Sequence, residues 1–420
     1  MATVRSFNSM LNDYIVYDLM AEELQKRSYL LENVEKENNW KGGPLPVPFK
    51  GASATSYKFG GLTATNDISE FAYVRGSVDD YKEIWGTMKW NARDLMEHEP
   101  VEGQPSGIVN EQSFLKILPD QLDEFLDGMK DCVSVALLCG SHFAKLTADA
   151  TANDGNIVVD RPERFSINQK VIVDDDNTAA QTGYVKTVNI NTSTINLVTT
   201  RGGVTVVDFS AAQMTTAQNA KVYVDGAQSN SFTSLRDQLL SAANGGSANL
   251  FGQSKLAYPY LQAINVSGAL MSATNVLDIV FDGWTTINKL GKGHATDVLM
   301  SYKHLGSVMK LLEAGAGAYR HVSTKASVYG YTEIVVVGVK GQLKLVGVHE
   351  MDDDVMYVLD WKALKLHSNG WFRKQVDPEG KQYYTVREET GYYYICDICF
   401  FGELILHAPC RCGIIFGINY

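Results

Sequence analysis

The chain has 420 residues, 45% of them hydrophobic and 20% charged, a balance that excludes a predominantly disordered protein and supplies more than one core. Its 48 acidic residues outnumber 37 basic ones, and at a formal charge of -11 the chain is not expected to grip phosphate backbones across its surface, which needs clustered Lys and Arg. Six cysteines are too few for a disulfide-stapled fold, the N-terminus lacks a signal-peptide core, and no run approaches the roughly 18 apolar residues of a membrane span. These features predict a soluble intracellular protein of a reducing compartment.

In chain order, Leu11, Ile15, Leu19, Leu24, Leu30 and Leu31 recur at helical spacing and predict a helix over 8–36, stopped by Gly42, Gly43 and Pro44. Residues 42–78 are held extended at their entry by Pro44, Pro46 and Pro48, and Tyr57 and Phe59 alternate briefly as in a strand. This segment has too few apolar residues for a core of its own and is long for a loop, so it is expected to borrow stability from a neighbour. Tyr81, Trp85 and Trp90 suggest strand pairing, or a strand running into a turn. The strongest helix is predicted over 120–147, with Leu122, Phe125, Met129, Val133 and Leu137 in period and Pro119 at its start.

Composition shifts at Asn153. Short alternating runs at 170–173, 183–190, 194–199, 203–209 and 221–224, separated by turn material, predict a small β-barrel inserted into a larger fold. Beyond it, helices are predicted at 272–290 and 304–313, with strands at 297–300, 333–338, 342–348 and 355–359. The tail after residue 383 is strand-like almost throughout.

Catalytic and ligand motifs are sparse. The Gly-rich stretches 245–254 and 291–296 match neither the P-loop nor the dinucleotide fingerprint and read as loops. The eight histidines are scattered, and no nucleophile elbow is present. Cys396, Cys399, Cys410 and Cys412 could supply thiolates to zinc, but both pairs lie in strand-like runs that offer no tight knuckle turn, so they read as packed strand cysteines. Cys132 and Cys139 share a helix face and read as core. Asp174, Asp175 and Asp176, and again Asp352, Asp353 and Asp354, could ligate a hard cation, yet both runs read better as acidic turns. The barrel lacks the basic and aromatic interleaving of nucleic-acid-binding barrels. No metal, cofactor or catalytic residue is therefore expected.

The order of these parts resembles the major capsid proteins of tailed bacteriophages, whose Hong Kong phage-type fold also underlies encapsulin shells. GGPLPVPFKGA resembles the entry of that fold's extended loop, TDVLMSYKHLGSVMKLLEAG (296–315) its axial strand-then-helix unit, and GELILHAPCRCGIIFGI its closing strands. The resemblance implies an α+β fold with an N-terminal helical arm (1–41), extended loop (42–78), peripheral domain with a spine helix (79–152), axial domain (228–382) and closing peripheral strands (383–420). Residues 153–227 are then an insertion that only some members carry.

The implied function is a structural one. The chain would self-assemble through hexamers and pentamers into an icosahedral head enclosing double-stranded DNA without sequence-specific binding or membrane attachment. Its candidate inter-subunit contacts are Leu11, Ile15, Lys50, Tyr57 and Phe59. Scaffolding, portal and decoration proteins are the implied partners, the virion its location and the bacterial cytoplasm its place of synthesis. An encapsulin-type compartment shell and a β-barrel-bearing hydrolase remain the alternatives.

Overall fold

In the computed structural model the described residues are 28–38, 40, 44–52, 72–78, 82–91, 111–150, 154–175, 180–209, 214–216, 219–290, 295–314, 323–326, 332–338, 341–368, 373–374, 384–388 and 391–419. The architecture is mixed α+β, in two units. The first comprises Met1–Gly42, Tyr81–Val133 and Leu366–Glu403; the second comprises Gly43–Asp80, Ser134–Lys365 and Leu404–Tyr420.

The first unit is built on the 16-residue strand Gly391–Leu406. Lys82–Asn91 lies antiparallel along it, in register from Lys82 opposite Gly402 to Asn91 opposite Tyr393. Alternation divides this pair into two faces. Met88, Cys396, Ile398 and Phe400 are buried on one, where Phe125 and Met129 of the long helix lie directly over Gly86 and leave no space for a Cβ. Glu83, Trp85, Thr87 and Lys89 are exposed on the other. Helix forms only at Tyr29–Asn33 within the described part of 8–36, and Glu35–Glu37 is a strand beside Leu364–Ser368. Charge and apolar spacing favoured helix there, but pairing with a sheet edge satisfies the same backbone groups, and Glu37 gains His367 at 3.5 Å.

The long helix runs Glu111–Cys139. Pro119 thus lies within it rather than at its start, and the helix stops short of residue 147. Gly140, at φ +104°, ends it in the left-handed region that a side chain disfavours. Phe143, Ala144 and Leu146 are buried as predicted for a helix, but as part of an extended segment.

The second unit holds a seven-stranded sheet in the order Ile264–Ser267, Gly413–Phe416, Val355–Leu359, Asp297–Met300, Gly341–Gly347, Thr332–Gly338, Ser323–Ala326. Every residue of Asp297–Met300 and Val355–Leu359 is buried, as central strands covered on both faces require. Helices Val276–Leu290 and Tyr302–Ala314 pack on this sheet through Val280, Trp284, Ile287, Leu305 and Val308. The tail expected to close one domain divides. Tyr384–Glu388 pairs with the long strand of the first unit, whereas Gly413–Phe416 enters this sheet. Alternation marks a strand but does not name its partner.

The inserted segment is a six-stranded sheet in the order Ala144–Lys145, Lys221–Val224, Lys170–Asp174, Gln181–Asn189, Thr194–Val198, Asn156–Val158. It closes on itself where Leu146 bridges Val159 and Thr147 N–H donates to the Val158 carbonyl at 2.9 Å. Ile157, Val171, Val173, Val185, Leu197 and Val222 fill the interior. The closing strand lies upstream of Asn153, outside the compositional boundary. Of the run 203–209, Val206 makes only an isolated bridge to Val198.

Candidate functional site

The segment that the sequence singles out is a hairpin. Leu45–Ala52 and Ala72–Val78 pair antiparallel as a sheet of their own, with Pro46 opposite Ser77 and Pro48 opposite Arg75. Val47, Phe49 and Val78 are buried, while Pro46, Pro48, Lys50, Tyr73 and Arg75 face solvent. Ser77 N–H and the Arg75 carbonyl are engaged on the side away from the partner strand, so these two pairs are of the non-hydrogen-bonded kind. Pro46 and Pro48 therefore sit where their missing N–H groups leave no gap in the ladder.

The packing that this loop lacks in its own sequence comes from residues 249–261. A two-residue turn joins Asn249–Leu250 to Gln253–Ser254 with Phe251 at φ +47° and Gly252 at φ +81°, the conformation a tight hairpin favours. A phenylalanine there is strained, and its contacts hold it. The Phe251 ring stacks on Phe49 at 6.3 Å between centroids, its carbonyl accepts from Ser77 N–H at 3.1 Å, and Gln253 Nε2 donates to the Arg75 carbonyl at 2.9 Å. Next in sequence, buried Lys255 donates from Nζ to the carbonyls of Asp237 at 2.6 Å and Leu240 at 2.9 Å, capping the helix Leu235–Leu239. Burial lowers the Lys255 pKa to about 8, against the opposing pull of Asp237.

Of the candidate contact residues, Lys50 is exposed and its ammonium lies 4.9 Å over the Tyr260 ring. Leu11, Ile15, Tyr57 and Phe59 lie outside the described residues.

A second constellation lies at the acidic run after Gly341–Gly347. Arg164 Nη1 is 3.0 Å from the buried Asp352, and the same guanidinium donates to the carbonyls of Phe143 at 2.8 Å and Glu350 at 2.6 Å. Arg236 grips Asp354 through two bonds of 3.1 and 2.9 Å, and Lys145 reaches it at 2.7 Å. Arg161 holds Asp353 at 2.8 Å, and His142 lies 3.5 Å from Asp352. Burial alone would raise the Asp352 pKa, but His142, Arg164 and Lys145 outweigh it and hold the carboxyl well below the usual range. Arg161, Arg164, His142 and Lys145 flank or belong to the barrel, so the acidic turn is where the insertion joins the α/β sheet. Sequence reasoning noticed the carboxylates and missed their partners, because arginines 118 to 192 residues away leave no local signal.

Among the described residues, no group of three or more His, Cys, Asp or Glu side chains could hold a metal ion. Asp174, in the first acidic run, accepts from Gln228 Nε2. Cys396, Cys399 and Cys412 are buried, and burial pushes the thiols of Cys132, Cys139 and Cys412 up to about 12, which leaves them protonated and poorly nucleophilic. None of the described helices is long and apolar enough to cross a membrane.

No family model matches the sequence, and no curated protein matches it. Among solved structures the chain is similar to capsids of phages and of a GTA particle. It resembles the cyanophage A-1(L) capsid asymmetric unit with a TM-score of 0.47 at 12% identity, over 96% of this chain and 93% of that one. It resembles the capsid of a native GTA particle with a TM-score of 0.46 at 9% identity, over 93% and 90%. For Mycobacterium phage Adephagia the TM-score is 0.44 at 9% identity, over 93% and 90%. These are likenesses of shape.

Proposed function

We propose that this chain is the major capsid protein of a tailed bacteriophage, a structural subunit that self-assembles into the icosahedral shell around double-stranded DNA. The observation that carries the reading is the hairpin of Leu45–Ala52 and Ala72–Val78. It pairs with no further strand among the described residues, is anchored by one buried face, and turns the other to solvent. A chain that tiles a surface needs such an element, rooted in one subunit and free to meet the next. The long helix, the fully buried central strands Asp297–Met300 and Val355–Leu359 and the protonated thiols suit a structural role rather than a catalytic one. The formal charge of -11 keeps enclosed DNA from adhering to the wall. Hexamers and pentamers are the self-contacts this reading implies; scaffolding, portal and decoration proteins are its further partners, and host cytoplasm is the site of synthesis.

Electron microscopy of the purified full-length protein tests the proposal. Closed shells or rings of six and five are expected, and particles recovered from lysed host cells should carry nuclease-protected DNA. Shells that hold protein and no DNA would favour a compartment, and discrete monomers at high concentration would overturn the shell reading altogether.

A further inference from the structure

The hairpin's outer edge has a chemical polarity. In an antiparallel ladder the N–H and C=O of a non-hydrogen-bonded residue both point away from the partner strand. Pro46 and Pro48 occupy two such positions, so that edge presents carbonyl acceptors and no donors between them. The other edge is occupied by Phe251 and Gln253. A further β-strand, which must both donate and accept, is therefore a poor fit to either side. Beside the proline edge is a shallow recess of about 280 Å³, almost wholly apolar, lined by Pro46, Pro48, Tyr73, Val74 and Arg75. Tyr73 is 74% exposed. The occupant such a site selects is a flat aromatic group that carries one N–H donor.

The same chain carries that group on the open face of the first unit's sheet. Trp85 is 47% exposed, steadied edge-on against Phe401 at 5.6 Å, and its indole N–H has no hydrogen-bond acceptor among the described residues. The charges nearest the two groups are opposite. Arg75 and Lys50 flank the recess, and neither makes an ion pair among the described residues; Glu83 and Asp397, the latter accepting from Thr87 Oγ1 at 2.6 Å, lie beside Trp85 on its sheet face, where Lys89 is held over the Tyr393 ring at 3.9 Å. Two different patches on one chain that complement each other define a head-to-tail contact, the kind that closes rings.

We propose that Trp85 of one copy inserts into the Pro46–Pro48–Tyr73 recess of a second copy, its indole N–H donating to a proline-edge carbonyl, with Arg75 and Lys50 facing Glu83 and Asp397. The proposal rests on the shell reading for its partner and adds the contact that sets subunit order.

The test uses full-length protein and its Trp85→Phe, Trp85→Ala, Tyr73→Ala and Arg75→Glu variants. Subtracting the Trp85→Phe fluorescence spectrum from that of the wild type isolates the emission of Trp85. That emission should shift to the blue on assembly of the wild type, and the shift should be absent in Tyr73→Ala. Trp85→Ala should weaken subunit association roughly 30-fold, as loss of a central aromatic anchor does. Arg75→Glu should do the same in part, and adding Glu83→Lys should restore association. If wild-type shells form while Trp85 emission stays unchanged, the contact is wrong and the shell reading stands. If no wild-type assembly forms, the shell reading falls and this contact with it.

Discussion

Asp352 is the residue whose surroundings decide most. It is buried against Arg164, and removing one partner from a buried ion cluster leaves uncompensated charge. Asp352→Asn should therefore cost about 3 kcal/mol in urea unfolding, near the lower end of that range. Asp353, whose side chain is 42% exposed beside Arg161, is the control; Asp353→Asn should change stability by less than about 1 kcal/mol. The Asp352 pKa is depressed below the ordinary value near 3.9. Its contribution is thus complete above roughly pH 4 and is lost as pH falls from there through the folded value. Asp352→Asn should flatten that acid limb relative to wild type.

Lys255 has the same sign of pH dependence, displaced to the alkaline end. Its folded pKa is lowered to about 8, so between about 8 and the unfolded value near 10.4 the unfolded chain binds the proton that the folded chain has released. Stability from this group rises across that window. Lys255→Met removes both the window and the cap on Asp237 and Leu240. The difference between wild-type and variant melting temperatures should widen from pH 8 to pH 10, and a constant gap would contradict the assignment.

At the scale of elements, the hairpin root depends on a close approach. A Cβ on Gly76 would lie 2.7 Å from the Phe49 ring and 3.0 Å from the Phe251 carbonyl, and the latter is backbone that cannot swing aside. Gly76→Ala should therefore cost about 1–3 kcal/mol, the usual cost of overpacking, read as a lowered denaturation midpoint. The extended chain at Pro46 and Pro48 was legible in the sequence from the proline spacing, but not the burial of Val47 and Phe49 in alternation with them. Its anchor was not, since Phe251 lies some 200 residues away and nothing local marks a phenylalanine for a left-handed turn. Strands with uniform apolar character, such as Asp297–Met300 and Val355–Leu359, fell where their sequence placed them. Glu35–Glu37 and Ala144–Lys145 did not, because their strand state comes from distant partners and overrides a good helical period.

For the molecule as a whole, the insertion is a closed barrel whose closing strand precedes its compositional boundary. An excised fragment spanning 142–226 should show a β-type spectrum and a cooperative melt, whereas one spanning 155–226 lacks Ala144–Lys145 and Leu146 and should melt broadly or not at all. Replacing 144–226 by a short linker removes Lys145, Arg161 and Arg164 at once. That variant should be destabilised, and changing Asp352, which loses Arg164, to Asn in it should recover part of the loss, read as a raised denaturation midpoint.

The salt-linked seam around Asp352 also bears on ancestry. A barrel that brings its own arginines to carboxylates placed nearly two hundred residues downstream is not a cassette that recombination can move alone. A crossover that imports the barrel into a chain without the acidic turn leaves Lys145, Arg161 and Arg164 without their carboxylates, and the reverse crossover leaves buried Asp352 without Arg164. Genetic exchange among related genes should therefore preserve the two segments as one inherited pair, with breakpoints falling outside the interval that joins them.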